Sequence, residues 1–169
     1  MMNRDGLQAL YDYNTYANRL VLDTVECLTE EEFVRQSSPS NGSVRGLLLH
    51  MLAVETYFLT CSQGRPARPV PIESNALADI RRKWSELERE QQDFISGLRE
   101  ADPGREIRVP MRDSMLTLPI WQALMQAFTQ SIHHRGELSI VLTGLGHPLP
   151  TLDVIIYHVR RSGQEWPWE

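Results

Sequence analysis

The sequence predicts a four-helix bundle of the all-α class, formed by one domain over residues 1–169. Apolar residues recur at spacings of three and four through most of the chain, which is the period of an amphipathic helix. Four of these stretches are long, and a long connection separates the first pair from the last pair, as in many bundles. The chain has 169 residues, 41% of them hydrophobic, which is enough to bury a single core.

The first two long helices are predicted on either side of a short helical turn. The first helix covers about residues 4–28 and carries a regular apolar stripe. Thr29 followed by Glu32 is a capping-box pattern, which predicts the start of the short turn. The SSPSNG stretch then breaks the chain. Ser43 is the expected cap of the second long helix, which we expect to end near Cys61.

The second half of the chain is predicted to hold two further long helices and a short one. The loop SQGRPARPVP precedes a helix over about residues 75–98, which ADPG ends. The stretch REIRVPMRDSMLTLP alternates weakly and predicts an irregular hairpin, because Pro110 weakens any strand. Pro119 suits the first turn of a helix that ends within GLG, and a short helix over about residues 152–160 follows.

Composition argues against several classes of function. The formal net charge of −5 argues against a nucleic-acid groove, which would need many phosphate contacts. The start of the chain has no apolar signal core, and the sequence contains no run of about eighteen apolar residues, which a membrane span would need. Cys27 and Cys61 are too few for a disulfide framework, so we expect buried free thiols. We therefore predict a cytoplasmic protein.

Two histidines are predicted to face the interior of the bundle. A helix advances about 100° per residue, so His134 shares a face with apolar residues and Gln130 lies about 40° from it. His133 lies at the edge of that face. His50 also shares an apolar face, whereas Glu55 lies about 140° away and is a poor co-ligand. Inward histidines on two helices can meet and hold a metal, although hydrogen-bonded core histidines are the alternative.

Three other polar residues have less specific expectations. Asn14 and Asn18 fall on the apolar side of the first helix, where they would line a pocket beside the histidines or satisfy neighbouring side chains. Arg135 would recognise an anionic cofactor tail or form an ion pair within the bundle, with Glu137 or Asp153 as the expected partner.

The chain contains, in order, the segments YNTYANRLVLDTVECLTEEEF, GSVRGLLLHMLAVETYFL, HHRGELSIVLTGLG and PLPTLDVIIY. They resemble the opening helix, the second helix, the fourth helix and the closing segment of the DinB-like, or DNA-damage-inducible, four-helix-bundle family, which includes bacillithiol-dependent and mycothiol-dependent enzymes. The most specific match is His-Arg-Gly followed by a spaced Leu-Gly. The resemblance covers almost the whole length and implies an up-down-down-up bundle with a long crossover.

The resemblance also implies a metal site and a homodimer. Members of this family typically bind a divalent metal through three histidines, one from the second helix and two from the fourth. Carried over to this chain, the metal positions are His50, Gln130 and His134, with nickel, zinc or iron as the candidate ions. The fourth helix is apolar nearly all round, so we expect it at or near the interface of a symmetric dimer.

The glutamine at a ligand position leaves three interpretations open. An amide oxygen is a poorer ligand than imidazole for these ions, so the site would bind metal loosely. Alternatively, His133 would complete the site after a small rotation. In the third interpretation, Gln130 hydrogen-bonds His134 in a satisfied polar pair and the site is vestigial.

These interpretations lead to hypotheses from different functional classes. The first is a metal-dependent thiol S-transferase or hydrolase, in which a low-molecular-weight thiol would bind as thiolate and attack an electrophilic substrate. The second is a non-catalytic bundle with a degraded metal site, acting as a stress-linked binding protein. A third is a small-molecule binder that uses the bundle cavity without metal.

Overall fold

The computed structural model describes residues 2–66 and 76–166, which form six α-helices, a short 3₁₀ turn and a two-stranded sheet. The chain is therefore mostly helical, as predicted, and the two-stranded sheet lies where the hairpin was expected. The predicted helix start at residue 75 and residues 67–71 of the proline-rich loop lie outside the described residues. The elements are α1 Arg4–Val25, α2 Glu30–Val34, α3 Val44–Ser62, α4 Leu77–Ser96, β1 Glu106–Met111, β2 Ser114–Pro119, α5 Ile120–Gly144 and α6 Val154–Arg161.

Local capping sets the starts of α2 and α3, as predicted. The hydroxyl of Thr29 accepts from the backbone N–H of Glu32, and the carboxylate of Glu32 accepts from the backbone N–H of Thr29 at 2.9 Å. The hydroxyl of Ser43 accepts from the backbone N–H of Gly46 at 3.1 Å. Each contact satisfies a backbone donor that lacks a partner inside its own helix.

The hairpin is more regular than predicted. Its two strands pair antiparallel without interruption, and Arg112, with a φ of 47°, lies in the turn between them. Pro110 is tolerated because both strands of a two-stranded sheet are edge strands. Ile107 and Val109 face the core and are buried. Pro119 ends β2 and precedes α5 as its N-cap, so it does not lie inside the first helical turn as predicted.

The four long helices pack around a core that a polar layer divides. Both α1 and α3 contact α4 and α5. Apolar side chains form two main clusters, one at each end of these helices, and a third, smaller cluster packs beside α6. The layer between the two main clusters consists of buried polar side chains. Its members are Asn14, Asn18, Glu55, Glu88, Gln91, Ser131, His134 and Arg135.

The helix α3 has the length and composition of a membrane-spanning helix, with 19 residues and a mean hydropathy of 1.2. It packs against α4 and α5 and carries the buried carboxylate of Glu55, so a place in the protein core accounts for its apolar composition. That no segment crosses a membrane stays a prediction.

The two cysteines differ in their surroundings. Both are free thiols, as predicted, and Cys61 is buried in α3. Cys27 is exposed, contrary to the prediction, because α1 ends at Val25 and the chain turns away from the core before Cys27.

Gly46 lies where the loop before α3 crosses the helix, and it allows a sharp test of this packing. A Cβ atom at Gly46 would lie 2.0 Å from the backbone oxygen of Asn41, whereas a Cβ atom at Gly136 in α5 would meet nothing within 4 Å. We expect Gly46→Ala to lower the free energy of unfolding by about 2 kcal/mol or more. The matched Gly136→Ala change should raise it by about 0.5–1 kcal/mol. Urea denaturation of both variants checks this, and equal effects would contradict the close approach.

Candidate functional site

The three predicted metal positions meet between α3 and α5. The amide nitrogen of Gln130 lies 3.2 Å from Nε2 of His50 and 2.6 Å from Nε2 of His134. The two imidazole rings are nearly perpendicular, with centroids 4.7 Å apart. Two imidazole nitrogens and one amide group therefore converge on a single point.

The burial of these side chains agrees with the helical-wheel prediction. His134 is buried, with 3% of its surface exposed, whereas His50 and Gln130 are half-buried. His133 is exposed, as expected for a residue at the edge of the inward face, although its ring centroid is only 5.0 Å from that of His134. Gln130 is the side chain that contacts both inward imidazoles.

Glu137 lies behind His134 and is held by the loop before α3. Its carboxylate accepts from the hydroxyls of Ser38 and Ser40, each at 2.6 Å, and from the backbone N–H of Ser40 at 3.2 Å. Burial raises the pKa of Glu137, but these hydrogen bonds outweigh it and lower the pKa to about 2. Glu137 is therefore ionised at neutral pH.

The protonation of His134 follows from its neighbours. Burial, with His50 and His133 nearby, lowers the pKa of His134 against the opposing effect of Glu137, so the ring is neutral at neutral pH. Nδ1 of His134 is buried and lies 3.6 Å from the carboxylate of Glu137, beyond hydrogen-bond distance but close enough for attraction. A proton on Nδ1 is favoured there and leaves the lone pair of Nε2 facing Gln130.

Two imidazoles and one amide are a weak donor set for a transition-metal ion. Among the residues that the structure describes, no group of three or more His, Cys, Asp or Glu side chains is placed to hold an ion. With bonds of about 2.0–2.1 Å and tetrahedral angles, two donors on one zinc ion lie about 3.4 Å apart. The 3.2 Å contact of Gln130 with His50 is close to that spacing, whereas its 2.6 Å contact with His134 is shorter and is a hydrogen-bond distance. A carboxylate behind a ligand histidine, as Glu137 lies behind His134, is also typical of metal sites.

Glu55 is the centre of the buried polar layer. Its side chain is 1% exposed and accepts from Asn14 at 3.0 and 3.1 Å, and from Asn18 at 3.3 Å. The amide of Gln91 donates to it at 2.7 Å, and the hydroxyl of Ser131 donates as well. Glu55 points away from His50, as the wheel predicted, and is fully occupied by other partners.

Arg135 belongs to the same layer, which corrects its predicted ion pairs. Its Nη1 donates to the side-chain oxygens of Asn14 at 2.7 Å and Asn18 at 2.6 Å. Both asparagines therefore accept from Arg135 and donate to Glu55. Neither Glu137, which faces His134, nor Asp153 is a hydrogen-bond partner of Arg135, because the asparagines of α1 lie closer to it.

Sequence reasoning missed the role of Glu55 and the serines that hold Glu137. One signal was visible, since Glu55 is the only acidic residue in the otherwise apolar stretch of α3. Asn14 and Asn18 are spaced four residues apart on the facing side of α1, which was the matching signal. No local pattern marks Ser38 or Ser40, which reach Glu137 from almost a hundred residues away in the chain.

Comparisons with known proteins agree with this architecture. The sequence matches the DinB family over residues 1–165. The structure resembles the crystal structure of a DinB-like protein from Bacillus cereus ATCC 10987, with a TM-score of 0.70 and 15% sequence identity. The superposition covers 88% of this chain and 97% of that one, and at this identity it supports the fold alone. No curated protein matches the chain significantly.

Glu55→Gln tests the polar layer. Glutamine would turn an NH₂ group towards donors that need an acceptor, so we expect the free energy of unfolding to fall by about 2–4 kcal/mol. Glu31→Gln is the matched control, because the side chain of Glu31 is 85% exposed and pairs with Arg35 across one helical turn. Its effect should stay within about 0.5 kcal/mol. Similar losses in both variants would contradict a central role for Glu55.

Glu137→Gln tests the contact behind His134. The lowered pKa means that the ionised carboxylate stabilises the fold above about pH 4.5, and that this contribution is lost as pH falls towards about 2. We expect the variant to be less stable at pH 7 by about 1–3 kcal/mol, with the difference shrinking over that acidic range. Urea unfolding at several pH values measures it. The double change Ser38→Ala with Ser40→Ala should reproduce the loss, and a pH-independent difference would contradict the assignment.

Proposed function

Since the chain belongs to the DinB family, we propose that it is a metal-dependent member whose core site holds a divalent ion through His50 and His134. The amide oxygen of Gln130 would be the third and weaker donor. The observation that carries the proposal is the convergence of Gln130 on Nε2 of both histidines, at 3.2 and 2.6 Å. Turning the amide about its last bond would bring its oxygen to the position of its nitrogen.

We further propose the up-down-down-up order of a four-helix bundle, with the long crossover between α3 and α4. The packing of both α1 and α3 against α4 and α5 supports it. The homodimer and the cytoplasmic location belong to the same proposal, and the DinB family membership and the net charge of −5 are compatible with both.

The chain's own residues would prepare the site for this role. Glu137 favours the proton on Nδ1 of His134 and so directs the lone pair of Nε2 towards the ion. When bound, a divalent ion supplies Lewis-acid activation of a water or thiol. Burial raises the pKa of the Cys61 thiol, so Cys61 stays protonated and is not a nucleophile. A low-molecular-weight thiol, or water, would lose its proton and form a bond to the electrophilic centre of the substrate. The bond to the leaving group would break in the same reaction and the leaving group would take up a proton, as in a thiol S-transferase or hydrolase.

A second candidate function is a non-catalytic, stress-linked binding protein with a degraded metal site. One observation favours it. The amide N–H group of Gln130 is within hydrogen-bond distance of both imidazoles, so the three polar groups can satisfy one another without an ion.

Elemental analysis of untagged protein, purified without chelator, separates the two functions. For the metal-dependent function we expect nickel, zinc or iron in the wild type at less than one ion per chain, and loss of that metal in His50→Ala. Gln130→His should bring the content close to one ion per chain and tighten metal binding by at least about tenfold. His133→Ala is the matched control and should leave the metal content unchanged, because His133 is exposed at the edge of the inward face.

Two outcomes would contradict metal binding through His50, Gln130 and His134. Metal that is absent from the wild type but captured by Gln130→His would mean a family site disabled by one residue, and the binding function would replace the enzymatic one. Metal that is lost in His133→Ala but kept in Gln130→Ala would assign the third ligand to His133.

A further inference from the structure

A cleft of about 620 Å³ lies on the side of α5 that faces away from His134. Its walls come from α1, from α5 and from residues 149–154, which lead into α6. A volume of this size is typical of small-molecule sites. The cleft is separate from the imidazole site, since none of its lining residues is His50, Gln130 or His134.

The cleft is mainly apolar, with two charged side chains. Arg135 and Asp153 line it together with Tyr13. Arg135 is 3% exposed, whereas Asp153 is exposed and lies at the rim. Predominantly apolar walls with a few polar groups are the usual construction of a ligand pocket. The apolar lining side chains include Leu10, Phe128, Ile132, Leu149, Leu152 and Val154.

Arg135 has a buried donor that the fold leaves unused. Its Nη1 is taken by Asn14 and Asn18, whereas its buried Nη2 has no acceptor within 3.5 Å, although Tyr13 lies near enough to interact electrostatically with the guanidinium group. The guanidinium carbon lies 5.8 Å from the ring centroid of Tyr13, another lining residue. A buried guanidinium N–H group without an acceptor has already lost its water, so an incoming acceptor gains a charge-assisted hydrogen bond with little further desolvation.

We propose that this cleft binds a small amphipathic carboxylate, with its apolar body against the walls and its carboxylate accepting from Nη2 of Arg135. A guanidinium group only donates and keeps its charge, which excludes cationic ligands at this position. Asp153 at the rim repels the carboxylate and so favours the orientation with the charged group inward. Glu55, linked to Arg135 through the two asparagines, balances the buried positive charge before any ligand arrives. This inference does not depend on metal binding at His50 and His134.

Titration calorimetry with octanoate, octan-1-ol and octylamine tests the charge requirement on the whole chain. The three probes share an apolar tail and differ in the head group. We expect octanoate to bind at least about tenfold more tightly than octan-1-ol, the ratio that one charge-assisted hydrogen bond supplies. Octylamine should bind more weakly than either. The guanidinium NMR signal of ¹⁵N-labelled Arg135 should shift with octanoate and not with octan-1-ol.

Two matched glycine variants test the location. Gly136 lines the cleft, and Gly144 lies on the same helix outside it, and neither has an atom within 4 Å of its would-be Cβ. Gly136→Leu should fill the cleft and weaken octanoate binding at least about tenfold, whereas Gly144→Leu should change it less than about twofold. Asp153→Asn should tighten octanoate binding about threefold by removing the repulsion at the rim.

Three results would overturn the proposal. One is octan-1-ol binding as tightly as octanoate, which would leave the donor of Arg135 without a role. Another is full octanoate binding in Gly136→Leu, which would place the ligand elsewhere. The third is a dimer in sedimentation experiments that buries Ile132 and does not bind octanoate. The cleft would then be an interface between two copies of the chain.

Discussion

The buried carboxylate of Glu55 is the contact on which the arrangement of the long helices depends. Its hydrogen-bond donors come from α1, α4 and α5, and Glu55 itself belongs to α3, so all four long helices meet at one charged group. Leaving such a group without partners costs several kcal/mol. A shift of any helix by one turn, about 5.4 Å, would separate it from its part of this network. The polar layer therefore favours one alignment of the helices, which apolar packing alone would specify less strictly.

This alignment also positions the two sites beside α5. His50 lies five residues before Glu55 on α3, and Gln130 directly precedes Ser131 on α5. The hydrogen bond between Ser131 and Glu55 thus brings His50 of α3 and Gln130 of α5 to similar positions along the bundle. Arg135, one residue after His134, ends at the cleft on the other face. The polar layer therefore sets the position of the imidazole site relative to the cleft.

Features that depend on local spacing were predictable from the sequence, and features that depend on distant partners were not. The capping box at Thr29, the cap at Ser43 and the inward direction of His134 follow from neighbouring residues and helical geometry. The partners of Arg135 depend on which helix packs against it, and the sequence alone favoured nearby acidic residues over Asn14 and Asn18 of α1. The hairpin was predicted as irregular because strand propensity ignores the free edges of a two-stranded sheet.

The place of Gln130 between two imidazoles has a consequence for how such a site can change over generations. Every glutamine codon becomes a histidine codon by one substitution at its third base. The amide already reaches Nε2 of both His50 and His134, so an imidazole at this position would start from the same backbone and the same facing helices. One nucleotide substitution therefore separates this chain from one with three imidazoles at the site. The reverse substitution is equally simple, and neither requires changes in the surrounding bundle.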